Sequence, residues 1–238
     1  MAGGHYVALS GMRTRLDELD RLASDLANVG TAGYKAERTG HRDVPRPAFD
    51  NALESAIDAS LGERKLDARP GAIEPTGRGL DIAIEGNGFI AVDTPAGPRY
   101  TRNGHLSRTG DGSLITADGA VVKGVDGDIK VGTGRLTIED DGTVMSDGVA
   151  AGKIAVVEFQ NPGSLVRESG ALLRASDAPT PVAMPTIRTG SLEQSNVSVV
   201  DRVAELTSVN RSFQALQKAV SVLMNDVDGR AIDTFGRR

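Results

Sequence analysis

Apolar residues in the last part of the chain recur at alternating steps of three and four. Because 3.6 residues make one helical turn, this spacing puts them on one stripe and predicts a helix over Val199–Val227. Ser198 is a candidate N-cap, and Gly229 is a candidate stop at the other end. The stripe has the spacing of a coiled-coil seam over about three heptads. It consists of Leu206, Val209, Phe213, Leu216, Val220, Leu223 and Val227.

The beginning of the chain carries a second stripe with the same spacing. It predicts another helix, which ends near Gly30 and Gly33. A narrow seam of this length needs a partner helix, in this chain or in a neighbouring copy. We therefore expect the two ends of the chain to meet in space, although two ordinary amphipathic helices on one globular core would show the same spacing. The stripe consists of Leu9, Met12, Leu16, Leu19, Ala23 and Leu26.

Between these helices the hydrophobic period shortens to two. Thr31–Pro47 is polar and interrupted by Gly and Pro, which indicates a loop, and Ala48–Leu61 has the spacing of a short amphipathic helix. After the Pro and Gly residues at 70–79, short runs rich in β-branched residues predict strands. The runs are Leu80–Ile84, Phe89–Val92, Ile129–Val131, Arg135–Ile138 and Lys153–Phe159.

Six Asn-Gly or Asp-Gly dipeptides separate these strands and predict tight hairpin turns, which require the positive φ that Gly tolerates. They lie at 103–104, 111–112, 118–119, 126–127, 141–142 and 147–148. The predicted fold is α+β, with the terminal helices paired as a coiled-coil-like pole and an antiparallel β-rich domain inserted between them. The expected segments are an N-terminal helix at 1–30, an extended connector at 31–75, the β domain at 76–185 and a C-terminal helix at 186–238.

Composition narrows the possible functions. The 238 residues include 29 Gly, three Tyr, five Phe, no Trp and no Cys, so the core is expected to consist of Val, Ile, Leu and Ala. The net charge of −5 and the absence of a basic cluster disfavour nucleic-acid binding. No run of 18 apolar residues predicts a membrane span, and the N-terminus lacks the apolar segment of a secretory signal. Any export is therefore expected to proceed without a cleaved general signal peptide.

Residues with possible chemistry do not form a convincing site. His5, His41 and His105 lie in separate segments, and Gly86–Ala91 matches G-x-G-x-x-A but precedes a strand, which indicates a hairpin turn. The Asp-Gly series lacks a calcium-loop pattern, and the carboxylates at 139–141 lie in a turn. We expect no catalytic residue, no metal site and no cofactor.

Four motifs together resemble the rod and hook proteins of the bacterial flagellum. Tyr6–Met12 is similar to the opening segment of that family, and Asp25–Lys35 is similar to its signature N-L-A-N-x-x-T-P-G-[YF]-K. Asp25 stands where the family usually has Asn, and Ala32 where it has Pro. The remaining motifs are Leu80–Phe89 followed by Tyr100–Gly104, and Gly190–Val197 running into Arg211–Phe213.

The resemblance implies a structural protein without enzymatic activity. Its terminal helices would assemble into the axial tube of the basal-body rod in the periplasm, after export by the flagellar type III apparatus. Partners would be further copies and other rod proteins, with no nucleic acid, no membrane insertion and no small-molecule substrate. The short length and the segments Arg211–Lys218 and Ala231–Arg237 favour the proximal-rod type over the distal-rod type. The expected assembly interface comprises Leu9, Met12, Leu16, Leu19, Leu26, Asn28, Leu206, Val209, Phe213, Leu216, Val220, Leu223 and Val227.

Two other functions fit parts of the sequence. A secreted β domain that binds glycan or protein would use the helices only as an oligomerisation stalk, but its scarcity of aromatic residues disfavours sugar stacking. A carbohydrate-active enzyme would have only scattered carboxylates to support it.

Overall fold

Two long helices lie at the ends of the chain in the computed structural model, which describes residues 2–39 and 64–235. Helix α1 spans Ala2–Ala27 and helix α2 spans Val199–Phe235, and neither is long and apolar enough to cross a bilayer. The N-cap prediction is confirmed, because Ser198 Oγ accepts a hydrogen bond from the Asp201 N–H at 3.4 Å. The predicted stop at Gly229 is wrong, since α2 continues past it; an interior Gly costs a helix only about 1 kcal/mol. The predicted helix at 48–61 lies outside the described residues.

The described residues between the helices form nineteen short strands and one 3-10 turn at Pro162–Ser164. The first ten strands are β1 (Glu37–Thr39), β2 (Arg64–Leu66), β3 (Ile73–Pro75), β4 (Ile82–Glu85), β5 (Phe89–Thr94), β6 (Gly97–Thr101), β7 (Leu106–Arg108), β8 (Leu114–Thr116), β9 (Val121–Gly124) and β10 (Gly127–Asp128). The other nine are β11 (Leu136–Ile138), β12 (Thr143–Ser146), β13 (Val149–Lys153), β14 (Val156–Glu158), β15 (Val166–Ser169), β16 (Leu172–Arg174), β17 (Thr180–Pro181), β18 (Thr186–Thr189) and β19 (Ser191–Glu193).

Ten of these strands form one sheet, in the order β15-β16-β6-β5-β9-β8-β7, with β10 beside β9, β14 beside β5 and β17 beside β14. A three-stranded sheet contains β11-β12-β13, and the pairs β1-β2, β18-β4 and β19-β3 complete the set. The pairings within the ten-stranded and three-stranded sheets are antiparallel. The α+β prediction with a central antiparallel β-rich region is thereby confirmed.

The chain divides into two units, which are described separately below. The helical unit comprises 1–26, 39–64 and 198–238, and the β unit comprises 27–38 and 65–197.

Five of the six predicted hairpin turns join strands that pair with each other. They are the Asp-Gly turns at 111–112, 118–119, 126–127, 141–142 and 147–148, and each Gly has a positive φ between 79° and 123°. The prediction for Asn103-Gly104 is wrong, because β6 and β7 are not neighbours. The Gly104 carbonyl instead accepts a bond from the Ile82 N–H at 3.0 Å, and a Cβ on Gly104 would lie 1.7 Å from the Ile82 oxygen. This Gly permits a close backbone approach rather than a turn.

One hairpin prediction and two strand predictions also need correction. Gly86–Gly88 is a bend and not a hairpin turn, because β4 pairs with the distant β18 while β5 pairs elsewhere. Ile129–Val131 makes one isolated bridge, between Lys130 and Ser113, instead of a strand. The run Lys153–Phe159 is divided between β13 and β14. In each case long-range pairing decided the outcome, and a local pattern does not specify the partner.

The β unit has two main apolar clusters. The larger contains fifteen buried Ile, Val, Leu and Ala side chains, among them Ile82, Ile90 and Leu114, as the composition predicts. The smaller also contains aromatic residues: Phe159 contacts Phe89 edge-on with ring centroids 5.9 Å apart, and Tyr100 in the same way at 4.8 Å. Three of the eight aromatic residues of the chain thus lie together in the smaller cluster.

Candidate assembly surface

Helix α1 has one buried face and one face with exposed leucines. Leu22 is fully buried, although it lies outside the predicted stripe. Two members of that stripe, Leu9 and Leu16, are 56% and 47% exposed. Met12, Leu19 and Leu26 are half-buried, whereas Ala23 is exposed. The single chain therefore leaves much of the α1 stripe accessible.

The stripe of α2 is more enclosed. Val209 is buried, and Leu206, Phe213, Leu216 and Val220 are half-buried. Leu223 and Val227 lie within the helix, but their side chains fall outside the described part of the structure. A separate group of valines at the start of α2 is exposed. It consists of Val199 at 46%, Val200 at 79% and Val203 at 46%.

Two contacts within the helical unit show how α1 and α2 lie side by side. A Cβ placed on Gly11 would lie 3.6 Å from Leu216 Cδ1, and Asp25 Oδ2 lies 3.3 Å from Arg202 Nε. Fourteen residues separate Gly11 from Asp25 on α1, and fourteen separate Arg202 from Leu216 on α2. The end of α1 thus meets the start of α2, and Gly11, nearer the start of α1, meets the middle of α2, so the helices are antiparallel.

A charged junction of Lys35, Arg102 and Glu193 lies inside the β unit. Glu193 accepts hydrogen bonds from Lys35 Nζ and, at 3.0 Å, from Arg102 Nη1, and all three side chains are at most 1% exposed. Glu193 also accepts a bond from the Gly71 N–H at 2.9 Å. Arg102 lies over the Phe89 ring at 5.1 Å from its centroid. One buried carboxylate therefore neutralises one of two buried cations.

Burial lowers the pKa of Lys35 below its ordinary value, and the neighbouring Arg102 lowers it further. Glu193 opposes this effect by attraction and by its hydrogen bond. The Lys35 ammonium also donates to the Arg69 carbonyl at 2.8 Å. Among the side chains around Lys35, Glu193 thus does most to keep its pKa from falling further.

Polar contacts extend the charged junction to the segments next to the helices. Asn196 Oδ1 accepts a bond from the Ala36 N–H at 2.7 Å, and its Nδ2 donates to the Asp67 carbonyl at 2.8 Å. The Arg167 guanidinium stacks on the Tyr34 ring at 3.8 Å from its centroid and donates to the Lys35 carbonyl. The segment that follows α1 is therefore fixed to the segment that precedes α2, within the β unit.

The charged junction joins three of the four motifs on which the resemblance rests. Lys35 is the last residue of the motif Asp25–Lys35, Arg102 lies in Tyr100–Gly104, and Glu193 lies in Gly190–Val197. Sequence reasoning named these motifs but gave their charged residues no role. Charged residues placed between apolar positions were the signal that could have marked these side chains as buried. No local pattern indicated that Lys35 and Glu193, which are 158 positions apart, would meet.

Asn28 and His105, which were also singled out from the sequence, have partners within the β unit. Asn28 accepts a bond from the Thr31 N–H at 3.0 Å in the turn after α1, within the β unit. His105 lies 3.0 Å from Asp81, and the side chains of His5 and His41 are outside the described residues. Within 2–39 and 64–235, no group of three or more His, Asp and Glu side chains is arranged to hold a metal ion.

Comparison with protein families places these features in a known context. Residues 83–146 match the model described as the flagellar hook protein FlgE/F/G D1 domain. Residues 188–227 match the model described as the flagellar basal body rod FlgEFG protein C-terminal region. The matched segments contain most of the β unit's large sheet and the first part of α2.

Individual relatives align over nearly the whole chain. The flagellar basal-body rod protein FlgF of Rhizobium meliloti is 30% identical over 245 residues, covering 99% of both chains. FlgF of Escherichia coli is 32% identical over 243 residues, with 95% of both chains covered. The flagellar basal-body rod protein FlgG of Bacillus subtilis is 29% identical over 248 residues, covering 91% of this chain and 93% of the relative.

Proposed function

Because the chain belongs to the family of flagellar basal-body rod proteins, we propose that it is a structural subunit of the proximal rod that assembles through its two terminal helices. As a rod protein it is a component of the flagellum and not an enzyme. In the proposed assembly, neighbouring copies pack their helices into the axial tube that transmits torque.

Exposed apolar residues on the helices carry this proposal. The contacts between α1 and α2 use the α1 face that bears Gly11 and Asp25, and they leave Leu9 and Leu16 about half exposed. The valines at the start of α2 are exposed as well. Apolar residues grouped on a regular helix face mark interaction surfaces more often than isolated ones do. The surface proposed for assembly is therefore the outer side of the helix pair.

The proposed organisation keeps the segments expected from the sequence. The segments 1–30 and 186–238, which contain α1 and α2, form the proposed rod core, the connector is 31–75, and the β domain at 76–185 is a spacer. The proposed partners are further copies, other rod proteins and the flagellar type III export apparatus. Export without a cleaved signal peptide leads to a periplasmic location, and the absence of Cys suits a chain that is exported unfolded.

The proximal position is proposed because the chain aligns end to end with proteins named FlgF. A distal-rod position is the second candidate, because the FlgG of Bacillus subtilis aligns over 91% of this chain. Complementation separates them: we expect the chain to restore motility to a strain that lacks FlgF and not to one that lacks FlgG. The reverse result would assign it to the distal rod.

A charge placed on the exposed α1 stripe tests assembly directly. Leu16→Asp should cost the free subunit little, because Leu16 is already 47% exposed there. It should prevent polymerisation, since burying an unpaired carboxylate in a subunit contact is unfavourable. Electron microscopy and sedimentation of the concentrated protein are the measurements, with tubes or protofilaments expected from the unchanged chain and not from Leu16→Asp.

Val149→Asp is the matched control, because Val149 is 70% exposed on a hairpin of the β unit. It introduces the same charge on a residue of the β unit instead of a helix and should leave assembly intact. Normal polymers from Leu16→Asp, or loss of polymers from both variants, would contradict the proposed surface.

A further inference from the structure

Two charged residues of the helical unit lie at unfavourable ends of their own helices. Asp25 is in the last turn of α1, where the carbonyl end of the helix dipole repels an anion. Arg202 is in the first turn of α2, where the amide end repels a cation. Each residue has a partner in its own helix, Arg21 for Asp25 and Glu205 for Arg202, but neither partner changes the sign of the interaction with the helix dipole.

Antiparallel pairing of α1 and α2 offsets both unfavourable interactions with the helix dipoles. The late end of α1 lies against the early end of α2, and Asp25 Oδ2 comes within 3.3 Å of Arg202 Nε and 3.6 Å of Arg21 Nη1. The side chains of Asp25, Arg21 and Arg202 are 1%, 6% and 14% exposed. We name these three residues the root cluster. A carboxylate hidden this deeply is favourable only with a cation beside it.

We propose that the root cluster is a register clasp, which makes each terminal helix depend on the other and permits one alignment between them. Before pairing, Asp25 and Arg202 oppose the helical state at their own ends. After pairing in register, the same charges attract each other between the helices. The clasp is internal to one subunit and does not depend on the proposed function.

Other registers leave the Asp25 charge without Arg202, with only Arg21 of its own helix beside it. Moving α2 by one heptad would place Asp25 opposite Val209, a buried apolar side chain. The opposite shift would place Asp25 beyond the first residue of α2. An apolar seam alone tolerates heptad slips, whereas a buried charge pair within it excludes them. The apolar stripes therefore hold the two helices together, and the root cluster determines the register in which they pair.

Cysteine cross-linking in the full chain measures the register, since the natural sequence contains no Cys. Gly11→Cys with Leu216→Cys reports the observed alignment, because these positions contact each other. Gly11→Cys with Leu223→Cys reports the slip of one heptad that places Asp25 opposite Val209, and Gly11→Cys with Val209→Cys reports the opposite slip. With a short bifunctional thiol reagent at low protein concentration, the first pair should cross-link and the other two should not.

The clasp is then removed by Asp25→Asn and Arg202→Gln, singly and together. Asp25→Asn leaves Arg21 and Arg202 as facing cations and should lower the ratio of in-register to slipped cross-links about tenfold, the loss expected for an interaction with a charged group. Arg202→Gln should lower it less, because Arg21 still contacts Asp25. The double variant should lose less than the two single losses combined, because the two positions act as a pair.

Glu205→Gln is the control, because Glu205 contacts Arg202 from its own helix and its side chain is 49% exposed. Its in-register yield should equal that of the unchanged background. Near-UV circular dichroism of the buried Tyr34 and Tyr100 reports whether the β unit of each variant is folded. Unchanged in-register yield in Asp25→Asn, strictly additive losses, or an equal loss in Glu205→Gln would overturn the clasp.

Discussion

Replacing Glu193 with glutamine removes the negative charge from the charged junction while keeping the shape of the side chain. Lys35 and Arg102 would then face each other as buried cations, because both side chains are at most 1% exposed. Breaking a buried ion pair on one side costs about 4 kcal/mol. The total free energy of unfolding of a domain is only about 5–15 kcal/mol, so the loss is a large part of it.

This cost converts to a shift in melting temperature through the size of the β unit. The unit spans 27–38 and 65–197, which is 145 residues. A domain of this size loses about 3 °C per kcal/mol, so Glu193→Gln should lower the melting temperature of the β unit by about 12 °C. The near-UV signal of tyrosine measures this transition, because Tyr34 and Tyr100 are buried in the unit and the chain has no Trp.

The pH dependence of this variant gives an independent check. The pKa of Lys35 in the folded protein lies below its ordinary value of 10.5, so the unfolded chain binds more protons between the two values. Stability therefore rises as pH rises through that window and levels off above 10.5. Losing Glu193 lowers the folded-state pKa further and widens the window downward. The deficit of Glu193→Gln relative to the unchanged chain should shrink as the pH is raised.

Glu168→Gln provides the comparison, because Glu168 pairs with Arg99 while its own side chain is 43% exposed. A pair exposed to this degree contributes less than about 1 kcal/mol, so this variant should melt within about 3 °C of the unchanged chain. If Glu193→Gln melted as little below the unchanged chain as Glu168→Gln, the charged junction would not stabilise the β unit as argued.

Three further substitutions test single features. Gly11→Ala should raise helical ellipticity at 222 nm and stabilise the helix pair by about 1 kcal/mol, because Ala favours helix and its Cβ fits at 3.6 Å from Leu216. Leu216→Asp should separate the helices and abolish polymers seen by electron microscopy, while the tyrosine signal of the β unit persists. Asp111→Asn should reduce the loss of stability at acid pH, measured by urea unfolding. Hydrogen bonds from Thr109 and Ser113 hold the Asp111 pKa at about 2. The carboxylate therefore contributes stability above pH 3.8, and this contribution is lost as the pH falls toward 2.

The controls and contrary outcomes are equally specific. Gly11→Leu should lower ellipticity by displacing α2; equal ellipticity in both Gly11 variants would mean that the close approach has no role. Ala215→Asp places the same charge on an exposed neighbour of Leu216 and should leave the helices paired, so equal loss in both Asp variants would refute the seam. If Asp111→Asn lost as much stability at acid pH as the unchanged chain, that loss would have to come from other carboxylates.

The sequence by itself determined what depends on neighbouring residues. The spacing of apolar residues located both helices, the cap at Ser198 was correct, and five Asp-Gly pairs formed the expected hairpins. Helical turns and tight turns involve residues at most a few positions apart, so the local pattern contains the information that they need. The family motifs are likewise short runs of neighbouring residues, and they indicated the family correctly.

Only the tertiary structure decided which surfaces meet. The face of α1 against α2 bears Gly11 and Asp25, whereas spacing alone favoured the side with Leu9 and Leu16. The junction between Lys35 and Glu193 joins positions 158 residues apart. Such contacts depend on how distant elements pack and on which charges burial brings together, and the energy of a buried pair exists only after the fold has removed water from it. A single sequence does not contain that partner choice in any local pattern.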